Sequence, residues 1–173
     1  MPDNHDLFFK RIQSKENALD LIQGILPKEI INNLDLSYFK LEKESFVDKR
    51  LKKYYTDLIY KTKYKDKNLK IVLLFEHKSY RPKNEYLQLL RYIVNIWEYE
   101  ENNKKELSLV IPIIFYHGKE EWVKRKLSDY FGEIDISFKK FIPEFDYILS
   151  DLSKIDDEKI KEELFKRDIN KST

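Results

Sequence analysis

The chain has 173 residues, no cysteine and three glycines, and its 33 Lys and Arg residues nearly balance 31 Asp and Glu, giving a formal net charge of +2. The absence of cysteine excludes a disulfide framework, thiolate zinc sites, Fe–S clusters and a cysteine nucleophile. The glycines at positions 24, 118 and 132 are too far apart for a Gly-rich phosphate loop or a dinucleotide-binding fingerprint. The length predicts a single domain over residues 1–173.

The hydropathy and charge patterns predict a cytoplasmic protein with no membrane partner. The longest apolar stretches, Ile71–Phe75 and Leu109–Phe115, are far shorter than the roughly 20 residues that span a bilayer. Charged residues occur within the first ten positions, so no signal peptide is expected. The balanced charge also argues against a polybasic nucleic-acid-binding arm.

The first 41 residues are predicted to be mainly helical. Apolar side chains with helical spacing run over Asn4–Leu26, where Ser14 caps a second helical piece and Pro27 ends it. A short helix over Lys28–Asn33 and a short strand over Tyr38–Leu41 are expected to follow.

Two strands joined by a polar turn are predicted next. Tyr54–Tyr64 is rich in Tyr, Thr and Ile and alternates as a strand does. Lys70–Lys78 contains a continuous apolar run, which is typical of a strand buried on both faces. The polar residues 65–68 between them complete a predicted hairpin.

A long amphipathic helix is predicted from Pro82 to about Asn102, with Trp97 in the core. Leu107–Tyr116 is predicted to be another buried strand, in which Pro112 indicates an edge or a bulge.

The remainder of the chain is predicted to hold a strand within Phe141–Leu149 and a charged helix over Asp156–Arg167. The order of the predicted elements indicates an α/β fold with a mixed β-sheet flanked by helices.

Glu76 and Lys78 are candidate catalytic residues because they directly follow the apolar run Ile71–Phe75. The period of a strand places both side chains on the same face. A carboxylate at the end of a buried strand costs several kcal/mol unless a cation or hydrogen bonds compensate it. The spacing alone carries little information, since Asp157 and Lys159 share it.

Asp57 is a second candidate, because Asp is unusual inside a strand as apolar and aromatic as Tyr54–Tyr64. If the two strands pair, Asp57 and Glu76 can converge on one Mg²⁺ ion, with Lys78 beside the scissile phosphate. Such a set of groups suits phosphodiester hydrolysis. An ordinary ion pair at a strand end explains the same residues equally well.

A basic, tyrosine-rich surface is predicted around these residues. Residues 49–70 contain nine basic residues and two acids, a local net charge of +7, with four tyrosines interleaved. Such a surface would attract a phosphate backbone, and its candidate DNA contacts are Lys52, Lys53, Lys61 and Lys63. The alternative is a solvated hairpin whose lysines protect an edge strand.

The long helix offers a further set of candidate DNA contacts. Gln88 and Tyr92 are four residues apart and share a helix face, with Arg91 adjacent. Ordinary helix surface is the competing interpretation of these three residues.

At these residues the chain resembles the Rpn recombination-promoting nucleases, also described as putative transposases, of the PD-(D/E)xK nuclease superfamily. The matching stretches occur in the expected order over residues 5–131. They are His5–Lys10, Leu26-Pro27, Asp35-Leu36, Ser45–Asp48, Asp57–Tyr60, Leu74–Ser79, Leu89–Tyr92, Ile96–Glu98, Val110–Pro112, Tyr116–Gly118 and Trp122.

The resemblance implies a restriction-endonuclease-like core, Mg²⁺-dependent cleavage of DNA with Mn²⁺ as a substitute, and a role in recombination. By motif position Asp57 matches the first metal-binding acid, Glu76 the second, and Lys78 the motif lysine. Asp6 matches the opening His-Asp of the family and would support the metal or the fold.

The chain departs from the family pattern at two positions, since the family usually has Gln at Lys78 and Arg at Gln88. Lys78 brings the chain closer to the general superfamily motif. Gln88 with Tyr92 resembles the Gln-x-x-x-Tyr helix of RecB-type nucleases.

The sequence therefore predicts a metal-dependent DNA endonuclease. The alternative is a catalytically inactive DNA-binding or protein-interaction module that has kept the nuclease fold. An RNA substrate and a homo-oligomeric assembly both stay open.

Overall fold

The computed structural model describes residues 4–49, 52, 54–76 and 83–152, with side chains from residue 8 onward. The strands are Leu34–Leu41 (β1), Tyr55–Tyr64 (β2), Lys67–Glu76 (β3), Leu109–Tyr116 (β4) and Ile148–Asp151 (β5). The helices are Asn4–Arg11 (α1), Lys15–Ile25 (α2), Lys28–Ile31 (α3), Glu85–Asn102 (α4) and Ile136–Lys139 (α5), with a 3₁₀ helix over Leu127–Phe131.

The five strands form one mixed sheet in the order β1-β2-β3-β4-β5. β2 runs antiparallel to both β1 and β3, whereas β4 runs parallel to both β3 and β5. α4 makes the crossover that a parallel β3–β4 pair requires. The predicted α/β class with a mixed, helix-flanked sheet is confirmed, and it is consistent with a restriction-endonuclease-like core.

Helices cover both faces of the sheet, so the core has two halves. α1 and α2 pack on one face through Phe8, Leu21 and Ile22. α4 packs on the other face through Leu89 and Ile96. β3 lies between these layers. Its residues 71–74 have no exposed surface, which confirms the predicted burial on both faces.

The predicted helical start of the chain is confirmed. α1 ends before Ser14, whose side chain accepts a hydrogen bond of 3.3 Å from the Asn17 amide and caps α2. α2 ends just before Pro27, as expected for a residue that cannot continue the helical hydrogen bonds.

The β2–β3 hairpin is confirmed, but its turn is shorter than predicted. Lys65 and Asp66 alone form the turn, with Lys65 at φ 55°, and Lys67 and Asn68 already pair within β3. The edge-strand interpretation of the hairpin lysines is wrong, because β2 lies between β1 and β3.

Two expectations for α4 need correction. The helix begins at Glu85 rather than at Pro82, since Asn84 has the non-helical angles φ −128° and ψ 72°. Trp97 is not a core residue. Its side chain is 36% exposed and its indole Nε1 donates a 2.9 Å hydrogen bond to the Ser108 carbonyl, which suits a ring that is apolar except at one edge.

Pro112 lies in an interior strand, yet its surroundings resemble an edge. It is aligned with Val72 on β3, whereas the pairing of β4 with β5 starts only at Ile113. The proline therefore precedes the ladder in which a missing N–H would cost a hydrogen bond.

The predicted helix over Asp156–Arg167 lies outside the described residues, as does Pro82. Among the described helices, none combines the length and apolar character needed to cross a bilayer.

Candidate active site

Asp57 and Glu76 lie on the same face of neighbouring strands, as the sequence predicts. Asp57 is opposite Leu74 and Glu76 is opposite Tyr55, so the two acids are diagonal neighbours in the β2–β3 ladder. The Cα atoms of diagonal neighbours are typically about 7–8 Å apart, within reach of long side chains. Both acids are on the face that α4 covers, because Tyr55 and Leu74 belong to the core on that side.

Asp57 is buried and its carboxylate accepts three hydrogen bonds. Oδ2 accepts from the Phe46 amide at 2.9 Å and from Tyr92 Oη at 2.6 Å, while Oδ1 accepts from Ser45 Oγ. These bonds join β2 to α4 and to the segment that connects β1 with β2. They supply the compensation that a buried carboxylate needs.

Tyr92 holds Asp57 from α4. Its side chain is 1% exposed. Burial raises the pKa of Tyr92 well above its usual value, and the nearby charge of Asp57 raises the pKa further. The phenol therefore stays protonated and donates to the carboxylate throughout the physiological pH range. Tyr92 points toward Asp57 and the core, so its hydroxyl positions an acid.

The segment around Ser45 is fixed from a second side. Asn95 Nδ2 on α4 donates to the Phe46 carbonyl at 3.4 Å and to Asp48 Oδ2 at 3.3 Å. Asp57, Tyr92 and Asn95 together therefore hold this connection against the sheet. Ser45 and Phe46 belong to a stretch that resembles the family, but the sequence does not show that they contact Asp57.

The two carboxylate oxygens of Asp57 differ in how many hydrogen bonds they accept from the described residues. Each carboxylate oxygen has two lone-pair directions, so Oδ2 is saturated by its two donors whereas Oδ1 keeps one. Within the described part of the chain, the donor to Oδ1 is the Ser45 hydroxyl, which can rotate. Oxygen ligands from carboxylates suit Mg²⁺, which keeps several of its waters. Asp57 and Glu76 fit such an ion, although the described residues contain no cluster of three or more acids or histidines with metal-binding geometry.

A buried acid that the sequence analysis missed acts, together with Glu76, on Tyr55. Glu85, the first residue of α4, is 3% exposed and accepts a 3.0 Å hydrogen bond from Tyr130 Oη. Tyr55, opposite Glu76, has a pKa raised well above its usual value by burial first and then by the charges of Glu76 and Glu85. The sequence could have revealed Glu85, because this acid occupies a core-facing position of the amphipathic helix α4.

The residues predicted to contact DNA differ in their partners and in their exposure. Lys61 Nζ forms an ion pair of 2.6 Å with Glu42, and Lys63 Nζ lies 4.4 Å from the centre of the Tyr38 ring. Lys52 is exposed, and Arg91 donates a 3.5 Å hydrogen bond to Gln88 on the half-buried side of α4. Lys53, Lys78 and the side chain of Asp6 lie outside the described residues.

A separate group of buried charges lies six residues from Glu76 along β3. Lys70 Nζ is 3.0 Å from Glu42 and 3.1 Å from Glu100, and Glu100 also accepts hydrogen bonds of 2.9 and 2.6 Å from Ser108. Burial alone would raise the pKa of Glu42, but hydrogen bonds and charges from Lys61 and Lys70 outweigh it and lower the pKa. This cluster joins the C-terminal end of α4 to the sheet.

Comparison with known proteins finds a matching family and several relatives of this chain. The family described as "Putative transposase, YhgA-like" matches residues 3–169. The recombination-promoting nucleases RpnD of Escherichia coli O157:H7 and RpnA of E. coli K12 are each 32% identical to this chain. These matches cover 66% and 67% of the chain and 45% and 40% of the two relatives.

An inactive recombination-promoting nuclease-like protein, RpnE of E. coli K12, is 31% identical over 66% of the chain and 39% of its own length. The chain thus matches less than half the length of each of these relatives. No solved structure matches the chain at a significant level. The family match extends over nearly the whole chain, so the chain belongs to the YhgA-like putative transposase family.

Proposed function

We propose that the chain is a metal-dependent endonuclease that hydrolyses phosphodiester bonds in DNA and acts in recombination. The observation that carries the proposal is the position of Asp57 and Glu76 on one face of β2 and β3, with Glu76 at the end of a strand whose residues 71–74 have no exposed surface. The names of the relatives, which include recombination-promoting nucleases, support it.

Asp57 and Glu76 would hold a Mg²⁺ ion, and Mn²⁺ would substitute for it. When bound, the ion would lower the pKa of a water molecule and neutralise charge that develops on the phosphate. Tyr92 and Ser45 would keep the Asp57 carboxylate oriented so that Oδ1 faces the ion. Lys78 would stabilise negative charge on the phosphate or position the attacking water, as its place in the superfamily motif implies.

The DNA backbone would lie along the basic residues of the segment 49–70. Lys52 and Lys63 are the candidates whose ammonium groups have no ion pair among the described residues, whereas Lys61 is held by Glu42. Gln88 and Arg91 on α4 are further candidates near the Asp57 end of the sheet. Phosphate contacts of this kind give affinity without sequence readout.

A non-catalytic module is the second candidate function, favoured by one observation at Asp57. Three hydrogen bonds already compensate this carboxylate, so its burial has a structural explanation without any metal. One relative of similar identity is named inactive. Such a module would bind DNA or a protein through the same surface and would leave DNA uncut.

Incubation of the purified chain with supercoiled plasmid and Mg²⁺ or Mn²⁺ separates the two functions. The nuclease predicts nicking that EDTA stops and that Asp57→Ala and Lys78→Ala abolish while circular dichroism shows retained folding. Exposed Glu98 supplies the control Glu98→Gln, which should cut normally. A mobility shift without cleavage by any of these proteins would support the module, and competition by single-stranded RNA would indicate an RNA substrate.

A further inference from the structure

Four large apolar residues are exposed close together in the segment that follows β4. They lie at the end of the 3₁₀ helix Leu127–Phe131 and in and around α5. The exposed fractions are 60% for Phe131, 81% for Ile136, 63% for Phe138 and 75% for Phe141. We call these four residues the 131–141 surface. Apolar side chains grouped and exposed in this way commonly mark a contact with another molecule.

The segment that carries the 131–141 surface is anchored to the rest of the fold. Tyr130 packs against the core on the α4 face, and its Oη donates a 3.0 Å hydrogen bond to Glu85. The Phe138 amide donates to the Asp135 carbonyl, and the Phe141 amide donates to the Phe138 carbonyl, each at 3.0 Å. The exposed side chains therefore extend from a hydrogen-bonded backbone that is attached to the core.

The charge around the 131–141 surface favours a protein partner over a nucleic acid. Residues 124–146 contain five basic and five acidic residues, so their net charge is zero. Attraction of a phosphate backbone requires an excess of positive charge, which residues 49–70 have and this segment lacks. A segment with balanced charge does not repel a second copy of itself.

The order of the charges within the segment is self-complementary. Glu133 and Asp135 precede α5. Lys139 and Lys140 lie at the other end of this helix, and neither they nor Glu133 form an ion pair with another described residue. Contacts across a two-fold axis are reciprocal. An axis near Ser137 would therefore bring the acidic end of each copy to the basic end of the other.

The apolar area suits the centre of such an interface. A phenylalanine buries about 150–250 Å² in a core, so three that are 60–75% exposed offer roughly 300–500 Å² to a partner. Ile136 and the charged residues at both ends add to this area. A standard interface takes about 800 Å² from each partner and has an apolar centre with a polar rim.

We propose that the 131–141 surface binds the same surface of a second copy of the chain, forming a two-fold symmetric dimer. The exposed phenylalanines form the apolar centre of this interface. Glu133 and Asp135 of each copy pair with Lys139 and Lys140 of the other. The inference goes beyond the proposed function and does not depend on it, because none of these residues belongs to the candidate active site.

Sedimentation equilibrium of the full chain over a concentration series tests the dimer, which has twice the mass of one chain. Phe138→Ser and Phe141→Ser should each raise the dissociation constant at least about tenfold, because each substitution occurs twice in the interface. Leu107→Ser is the matched control, since it alters a residue that is 60% exposed elsewhere on the chain, and it should leave the constant unchanged.

Exchange of charges tests the two-fold arrangement. Lys139→Glu combined with Lys140→Glu makes both ends of the segment acidic. Glu133→Lys combined with Asp135→Asn makes both ends basic, and asparagine can still cap α5. Each double variant alone should be monomeric, with its folding checked by circular dichroism. An equimolar mixture of the two should form a heterodimer.

A chain that stays monomeric at every concentration would overturn the inference and would favour another occupant of this surface. A dimer that persists unchanged in Phe138→Ser and Phe141→Ser would also overturn it, as would charge variants that fail to associate when mixed. Uncut plasmid would contradict the proposed function alone, since none of these measurements involves DNA.

Discussion

Tyr92 Oη donates a 2.6 Å hydrogen bond to Oδ2 of Asp57 and thereby joins α4 to the middle of the sheet. Both side chains are buried, so solvent does not replace this bond when it is lost. The relationship explains why an aspartate is tolerated inside an aromatic strand, and it makes Tyr92 a positioning residue for the first acid of the site.

Tyr92→Phe should therefore lower the free energy of unfolding by about 1.5–3 kcal/mol, the range for a hydrogen bond to a charged group. Urea denaturation followed by circular dichroism measures the change. Tyr38→Phe alters an exposed tyrosine and should change the free energy by less than about 0.5 kcal/mol. Equal stability of the two variants would mean that the bond to Asp57 contributes nothing.

Lys70→Met should destabilise the fold more strongly. The substitution leaves Glu42 and Glu100 buried without their shared cation, which typically costs about 3–5 kcal/mol. Lys67→Met, at an exposed position of the same strand, is the matched control. If urea midpoints of the two variants coincide, the buried cluster does not hold α4 to the sheet.

Glu42 should make stability depend on pH in the acid range. Its pKa is lower in the folded chain than the ordinary value of 4.5, since the charges and hydrogen bonds of Lys61 and Lys70 outweigh burial. Its contribution is therefore present above pH 4.5 and is lost as the pH falls through the folded pKa. Between pH 7 and pH 3, Glu42→Gln should lose less stability than the unaltered chain. A steeper loss in the variant would contradict this sign.

The lysines of residues 49–70 should contribute unequally to DNA binding. Lys52→Ala and Lys63→Ala should each weaken binding to any DNA sequence and reduce the slope of log affinity against log salt by about one. Lys61→Ala should mainly lower stability, because this lysine is paired with Glu42. Fluorescence anisotropy across a salt series measures the slopes. Identical slopes for the unaltered chain and the three variants would mean that residues 49–70 are not part of the DNA interface.

The sequence predicts most of the fold because its local signals agree with the tertiary structure. The continuous apolar run of Ile71–Phe75 identifies the central strand, and Ser14 and Pro27 give the bounds of α2. The sequence-based predictions are wrong where tertiary contacts determine the position of a side chain. Trp97 follows the apolar stripe of α4, but its side chain is partly exposed and its indole N–H bonds to the carbonyl of buried Ser108.

The candidate site was only partly predictable for the same reason. The predicted pairing of the two strands brings Asp57 and Glu76 together, and the observed register makes them diagonal neighbours. The donors to Asp57 come from residues 11 to 35 positions away in the chain, and no local pattern reveals such contacts. Glu85 was detectable as an acid on an apolar stripe, whereas its partner Tyr130 was not.

The most direct test of the site is the initial rate of plasmid nicking by Glu76→Gln, compared with Glu98→Gln at equal concentration in Mg²⁺. Glu76 is half-buried at the end of β3, so neutralising it should leave folding intact. If the two acids perform hydrolysis, Glu76→Gln should nick at least about a hundredfold more slowly than the control, in line with losses of catalytic electrostatic groups. Equal nicking rates for the two variants would contradict the role of Glu76 and with it the proposed site.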